Sequence, residues 1–289
     1  MNRLNVSLFS RGLYSSWCYY PTYNLLFDCG EGCATHLGNS MPGIDKIFIG
    51  HDHSDHVLGL FSFIGCRNTC QGTSKNADTM ADHNKPLTIY YPRWSRLMKG
   101  LIEFVDLRYG NWLRYKLTWV PIDAGFELEI GKDTFLKAFT MKHSINVFSH
   151  LGYVIYTNRS KLKPEYAGKD IPALLRSGVN KSDLTMSYRA NLFAYCLDAF
   201  DIPNAKDNLQ DCEHVVMDCT FVNSQDRTDP THFTLDESAG LCHTLGVKHM
   251  YAAHVSPRYD YIARDKIVPN IVSATTQFHL MDNKQVNSI

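Results

Sequence analysis

The chain has 289 residues, 44% hydrophobic and 20% charged, enough to bury a large core as one domain of two sheet-and-helix layers. Lys+Arg and Asp+Glu both number 29, so the formal net charge is +0 and the totals hold no basic excess of the kind that marks a grip on long nucleic acid. Nine cysteines, an odd number without framework spacing, argue against a disulfide scaffold; Cys29, Cys33, Cys66 and Cys70 are expected as buried free thiols in a reducing cytosol.

No apolar leader follows Met1, and no segment approaches a transmembrane span, so a soluble cytoplasmic protein without a membrane partner is expected. Residues 4–9 and 23–27 read as strands, and 45–49 as the strand that feeds a histidine cluster. A helix is expected from 56 to 63, then a long polar loop from 67 to 86. Residues 87–91 return as a strand and 94–104 as a helix. Strands follow at 117–122, 126–130, 134–139 and 152–156. The charged stretch 161–177 is partly helical. Apolar runs at 193–197, 214–217 and 249–253 each end in a possible ligand, and 234–245 reads as a helix capped by Thr234 with Glu237. The tail after residue 275 carries little signal. No linker divides the chain.

The run His51-Asp52-His53-Ser54-Asp55-His56 directly follows the apolar Ile47-Phe48-Ile49-Gly50. A strand that ends in such a cluster delivers its ligands to one sheet edge. Imidazole with carboxylate suits Zn²⁺, with Mn²⁺ or Fe as rivals. A solvated histidine-rich loop is the plain alternative, but partner residues recur far along the chain. In Phe27-Asp28-Cys29-Gly30-Glu31-Gly32, Asp28 at a tight turn can hold a ligand histidine. Lys142-His143-Ser144-Ile145 precedes Leu151-Gly152-Tyr153. Phe193 to Asp198 and Ala252 to Tyr259 are strand-like runs that lead into an aspartate and a histidine.

The His-x-His-x-Asp-His pattern resembles the signature of the metallo-β-lactamase superfamily. With Phe27 to Gly32 and His254-Val255-Ser256-Pro257-Arg258-Tyr259, the chain resembles its tRNase Z branch, over residues 4–264. That resemblance implies an α/β fold, an αββα sandwich of two mixed β-sheets flanked by helices, as a single domain 1–289. It implies two Zn²⁺ per subunit, with Mn²⁺ or another divalent ion as substitutes. His51, His53 and His143 would hold one ion, Asp55, His56 and His254 the other, and Asp198 would bridge both. Two such ions, about 3.5–4 Å apart, lower the pKa of a water and clamp a phosphate oxygen. Asp55 counts among the catalytic residues as well. His232 is expected to protonate the leaving alkoxide, oriented by Asp218 where the family has Glu. The chain departs from the pattern at Leu197-Asp198-Ala199, where the family writes Gly-Asp-Thr. Extra residues also separate His143 from Gly152, which makes His150 a rival ligand. His36, His83, His214, His243, His249 and His279 are expected to pack or to face solvent.

Relatives that mature tRNA carry a Gly- and Pro-rich arm in the interval that here spans 158–191. This interval looks like a compact, helix-containing insert without that arm. The chain thus resembles the anti-Pycsar phosphodiesterases, which open 3′,5′-cyclic nucleotides such as cCMP and cUMP and so counter a host immune signal. They act as homodimers, with a partner loop closing the pocket. A cyclic nucleotide is the expected substrate, and tRNA 3′-end maturation is the alternative. The 16 Tyr and 15 Phe offer surfaces for stacking a base, although most will be core. A lactonase-like hydrolase would not explain Ser256 to Tyr259 or the His232 loop. A non-catalytic scaffold would not need all seven ligands.

Overall fold

Short apolar runs pair into two seven-stranded mixed sheets that stack face to face. The computed structural model describes residues 4–70, 84–143, 150–228, 230–271 and 275–289. The first sheet holds β1 (Ser7–Arg11), β2 (Ser15–Tyr20), β3 (Leu25–Phe27), β4 (Lys46–Phe48), β5 (Leu87–Pro92) and β6 (Leu117–Ile122), with β14 (Asn287–Ser288) beside β1. The second holds β7 (Glu127–Gly131), β8 (Thr134–Met141), β9 (His150–Leu162), β10 (Thr185–Cys196), β11 (His214–Asp218), β12 (His249–Ala253) and β13 (Gln277–Leu280). Both sheets run antiparallel over the first strands and parallel from β3 to β6 and from β10 to β13.

The period-2 rule sorts the apolar runs into layers. Phe27 and Phe48 point between the sheets, where they meet Tyr153, Phe193 and Tyr195. Leu26 and Ile47 point outward, onto α1 (Cys33–Leu37), α2 (Ser54–Val57), α3 (Gly59–Cys70) and α4 (Arg96–Tyr109). On the second sheet Met217 and Ala252 face α7 (Ala205–Leu209) and α8 (Leu235–Thr244). The order of layers is helix, sheet, sheet, helix. Strands buried on both faces explain why β3, β4, β11 and β12 read as continuous apolar runs. No helix among the described residues is long and apolar enough to cross a membrane.

Several boundaries differ from expectation. β2 was not expected, and the tail supplies the edge strands β13 and β14 by distant pairing. The helix expected from 56 is two helices, broken beside Gly59. The loop expected at 67–86 begins later. Arg67 is buried in α3, stacked over Tyr115 and donating to the carbonyls of Ile44 and Lys85, while residues 71–83 lie outside the described residues. All nine cysteines are free, but Cys66 and Cys70 sit on the outer side of α3 and are exposed, not buried.

The interval 158–191 forms the outer half of the β9–β10 hairpin, which continues past the body of the sheet and carries α5 (Ile171–Arg176) and α6 (Lys181–Leu184) at its end. It holds Arg159, Lys161, Lys163, Lys169, Arg176, Lys181 and Arg189 against Glu165, Asp170 and Asp183. The helix-containing insert expected here is present, and it forms a basic projection on a neutral chain.

Candidate metal centre

The carboxyl ends of the parallel strands converge on one edge, where open α/β sheets place their ligands. Asp28 lies just beyond β3, His51 beyond β4, Asp198 beyond β10 and His254 beyond β12, while Asp218 closes β11. His143 and His150 arrive at the same edge from β8 and β9. Three of these residues leave their strands in the left-handed region, Asp28 at φ 55°, Asp198 at 56° and His254 at 61°. Such a backbone costs a non-glycine residue about 1–2 kcal/mol and persists where surrounding contacts enforce it, commonly at working sites.

Three groups of donors share the Asp198 carboxylate: one joins it to Asp218, His232 and His254, and the other two hold the seven expected ligands. His51, His53, His143 and Asp198 bring one ligand atom each within 4.8 Å of one another, and so do Asp55, His56, Asp198 and His254. Asp198 Oδ2 lies 3.4 Å from His51 Nε2, and its Oδ1 lies 3.3 Å from His56 Nε2 and 3.1 Å from His254 Nε2. His254 Nε2 is 3.4 Å from Asp55 Oδ2, and His143 Nε2 is 3.3 Å from His53 Nδ1.

Three of the five imidazoles are anchored from behind. His56 Nδ1 donates to Asp28 Oδ2 at 2.7 Å, His143 Nδ1 to the Thr231 carbonyl at 2.8 Å, and His254 Nδ1 to Thr220 Oγ1 at 2.9 Å. Each anchor fixes the ring and leaves Nε2 facing the pocket, the arrangement that metal-binding histidines need. Asp28 also accepts from the Gly50 N–H at 2.7 Å and the Tyr195 hydroxyl at 2.9 Å, so the aromatic layer between the sheets holds the floor of the site. The Phe27–Gly32 loop must pass very close to α2. A Cβ on Gly30 would strike the Asp55 carbonyl, and one on Gly59 would strike the Gly30 carbonyl.

The donor set fits a divalent cation. His51 Nε2, His56 Nε2 and Asp198 Oδ1 are buried with no hydrogen-bond partner, yet they face one another. Buried polar atoms seldom remain orphaned, and cations held by the two ligand groups would satisfy all three. Burial, with His56 and His150 alongside, pushes His51 well below its ordinary pKa, and burial lowers His143 too, which keeps both in the neutral form that binds metal. Burial opposes charge on Asp198, yet His254, His56 and His51 hold its carboxyl well below the usual range. Burial also opposes charge on His56, but Asp198 and Asp28 outweigh it and raise its pKa well above the ordinary value. Two carboxylates that pull a proton onto His56 would pull a metal cation in the same way.

Beside these groups sits a second arrangement. The buried Asp218 accepts from His232 Nδ1 at 2.7 Å and the Ala199 N–H at 2.9 Å through Oδ2. Its Oδ1 accepts from the Thr220 N–H at 2.8 Å and hydroxyl at 2.7 Å. Burial works against a charged His232, but the Asp218 carboxylate outweighs it and raises the pKa to about 9. The His232 ring stacks on His254 at 5.3 Å, so a held proton stands next to both donor groups.

The structure brings all seven expected ligands together with Asp218 and His232. His150, the rival to His143, belongs to neither group; its Nε2 donates to the Leu197 carbonyl at 3.0 Å. The extra residues after His143, 144–149, lie outside the described residues. Asp52 turns away from the cluster and caps α4, accepting from Ser95 Oγ at 2.7 Å and the Leu97 N–H at 3.1 Å. His36 stacks on Phe9 and Trp17, and His214, His249 and His279 stack with Tyr251. Thr220, which links Asp218 to His254, was not singled out from the sequence. Its position two residues after Asp218 was the available signal.

No protein-family model matches the chain. It is 31% identical over 264 residues to ribonuclease BN of Escherichia coli O157:H7, covering 81% of this chain and 79% of that one. It is 27% identical over 258 residues to tRNase Z of Arabidopsis thaliana, covering 86% and 84%. Among solved structures, the short form of human tRNase Z superposes with a TM-score of 0.63 at 17% identity over 99% of both chains. A metallo-β-lactamase fold protein of Bacillus subtilis gives 0.58 at 14% identity over 98% of both. These two structural likenesses establish the fold.

Proposed function

We propose, because the chain belongs to the tRNase Z and ribonuclease BN family and is a metal-dependent hydrolase of the metallo-β-lactamase fold, that it cleaves phosphodiesters with two divalent ions, Zn²⁺ foremost. The observation that carries this reading is the pair of four-donor groups sharing Asp198. His51, His53 and His143 would hold one ion, Asp55, His56 and His254 the other, and Asp198 both. Bound there, the ions would neutralise the phosphate and supply a hydroxide at neutral pH.

The other roles fall to the chain's own groups. Asp28, Thr231 and Thr220 fix the three anchored imidazoles. Asp218 keeps His232 protonated through neutral pH, and His232 donates that proton to the leaving oxygen. The Asp218 carboxylate reaches His232 directly, so the shorter side chain loses no contact.

For the substrate, tRNA, with 3′-end maturation as the reaction, is the first reading; the relatives are a tRNase and a ribonuclease by name, and the basic β9–β10 projection supports an RNA substrate. The anti-Pycsar type of reaction, opening of 3′,5′-cyclic nucleotides against a host signal by a homodimer, is the second reading; the neutral net charge supports it. The test is to give the metal-loaded protein a 3′-extended precursor tRNA, cCMP and cUMP side by side. Rapid tRNA cleavage with inert cyclic nucleotides is expected. Rapid opening of cCMP or cUMP with intact tRNA would reverse the order. Inertness toward all three would refute the phosphodiesterase reading.

A further inference from the structure

Gly12, Leu13 and Tyr14 join β1 to β2, and Gly12 packs against His254 of the candidate metal centre. A Cβ on Gly12 would lie 3.2 Å from the His254 carbonyl oxygen and 3.4 Å from its Cε1, so glycine is what allows so close an approach. Arg11 fixes the turn to the segment that His254 opens: its guanidinium pairs with Asp260 at 3.0 Å and lies over the Tyr14 ring at 4.9 Å. The turn closes through the Tyr14 N–H donating to the Arg11 carbonyl at 3.0 Å, with Leu13 at φ 71°. Glycine is the residue that such a turn position prefers. The chain places leucine there instead, 82% exposed, and next to it a tyrosine that is 59% exposed. Two large side chains thus stand in solvent on a turn whose glycine packs against His254, one of them against the preference of its own backbone.

We propose that this turn is a nucleobase subsite, in which Tyr14, with Leu13 beside it, stacks on the base of the nucleotide whose phosphate enters the site on the His254 side. The inference rests on the phosphodiesterase reading. The donor groups can anchor only the phosphate, and a base has two apolar faces that need a flat partner. A tyrosine already held by Arg11 loses little freedom on stacking, and it tolerates any base because every base has a π face.

The test compares metal-loaded wild type, Tyr14→Ala and Tyr14→Phe on two esters with one leaving group, thymidine 5′-(p-nitrophenyl) phosphate and methyl p-nitrophenyl phosphate. Titration calorimetry with uridine 5′-monophosphate and with ribose 5-phosphate accompanies it. In Tyr14→Ala the preference for the thymidine ester should fall about tenfold, through KM and not kcat, and the preference for the nucleotide over the sugar phosphate should fall by a similar factor. Tyr14→Phe should keep both preferences. Unchanged preferences in Tyr14→Ala, or equal losses on probes with and without a base, would overturn the subsite. If wild type hydrolyses neither ester, the phosphodiesterase reading fails and the calorimetric pair alone decides the subsite.

Discussion

Asp218→Asn keeps the shape of the side chain and removes the charge that sustains His232. The carboxylate outweighs burial and raises His232 to about 9, so the imidazolium persists through neutral pH and is lost as pH rises through that value. Without that carboxylate burial outweighs the smaller pull of Asp198, and the pKa falls to the ordinary ~6.5 or below, a change of roughly 3 kcal/mol in the charged form. At pH 8 about nine-tenths of His232 is protonated in the wild type and about 3% in the variant, so kcat should drop about 30-fold. At pH 6 about three-quarters of the variant is protonated, so the deficit should shrink to less than twofold. Bound cations next to His232 would lower both pKa values, so the test is the contrast between the two profiles. The amide also cannot accept from all four donors around Asp218, which leaves a buried N–H unpaired at a cost of about 1–3 kcal/mol. The assay is kcat against pH from 5.5 to 9.5, with thermal unfolding measured on the same samples. A deficit of equal size across the range would refute the acid role of His232 and leave Asp218 a structural residue.

Other substitutions probe other parts of the site. His232→Ala should slow turnover about 10²–10⁴-fold while the metal content stays at the wild-type level; loss of metal would show that His232 acts as a ligand. Asp28→Ala should weaken metal binding about 10–100-fold by freeing the His56 ring, read by competition with a chelator. Gly30→Ala should drive α2 away from the Phe27–Gly32 loop and cost about 1–3 kcal/mol in denaturant unfolding; an unchanged midpoint would mean that the loop has room to move.

The site was more legible in the sequence than the sheets that carry it. Residues 249–253 were read to the residue, because a buried parallel strand is a continuous apolar run, and so were 117–122, although that edge strand is only half-buried. β2 escaped notice because Ser15, Ser16 and Cys18 carry no alternation, although all are buried. Gln277 to Leu280 looks like tail in isolation and becomes a strand only by pairing with β12. The metal-binding pattern was visible because its chemistry dictates residue types. Thr220 and the turn at Gly12 were not, since their roles come from contacts across the fold. The basic hairpin was hidden for a similar reason. Its charges are spread through a polar interval, and pairing of β9 with β10 gathers them onto one projection.

The most direct test of the account is the metal content per chain of wild type and Asp198→Ala after purification and dialysis. The account predicts about two divalent ions per chain in the wild type and the loss of both in the variant, because one carboxylate serves both donor groups. A wild type that holds a single ion, or a variant that retains two, would contradict it.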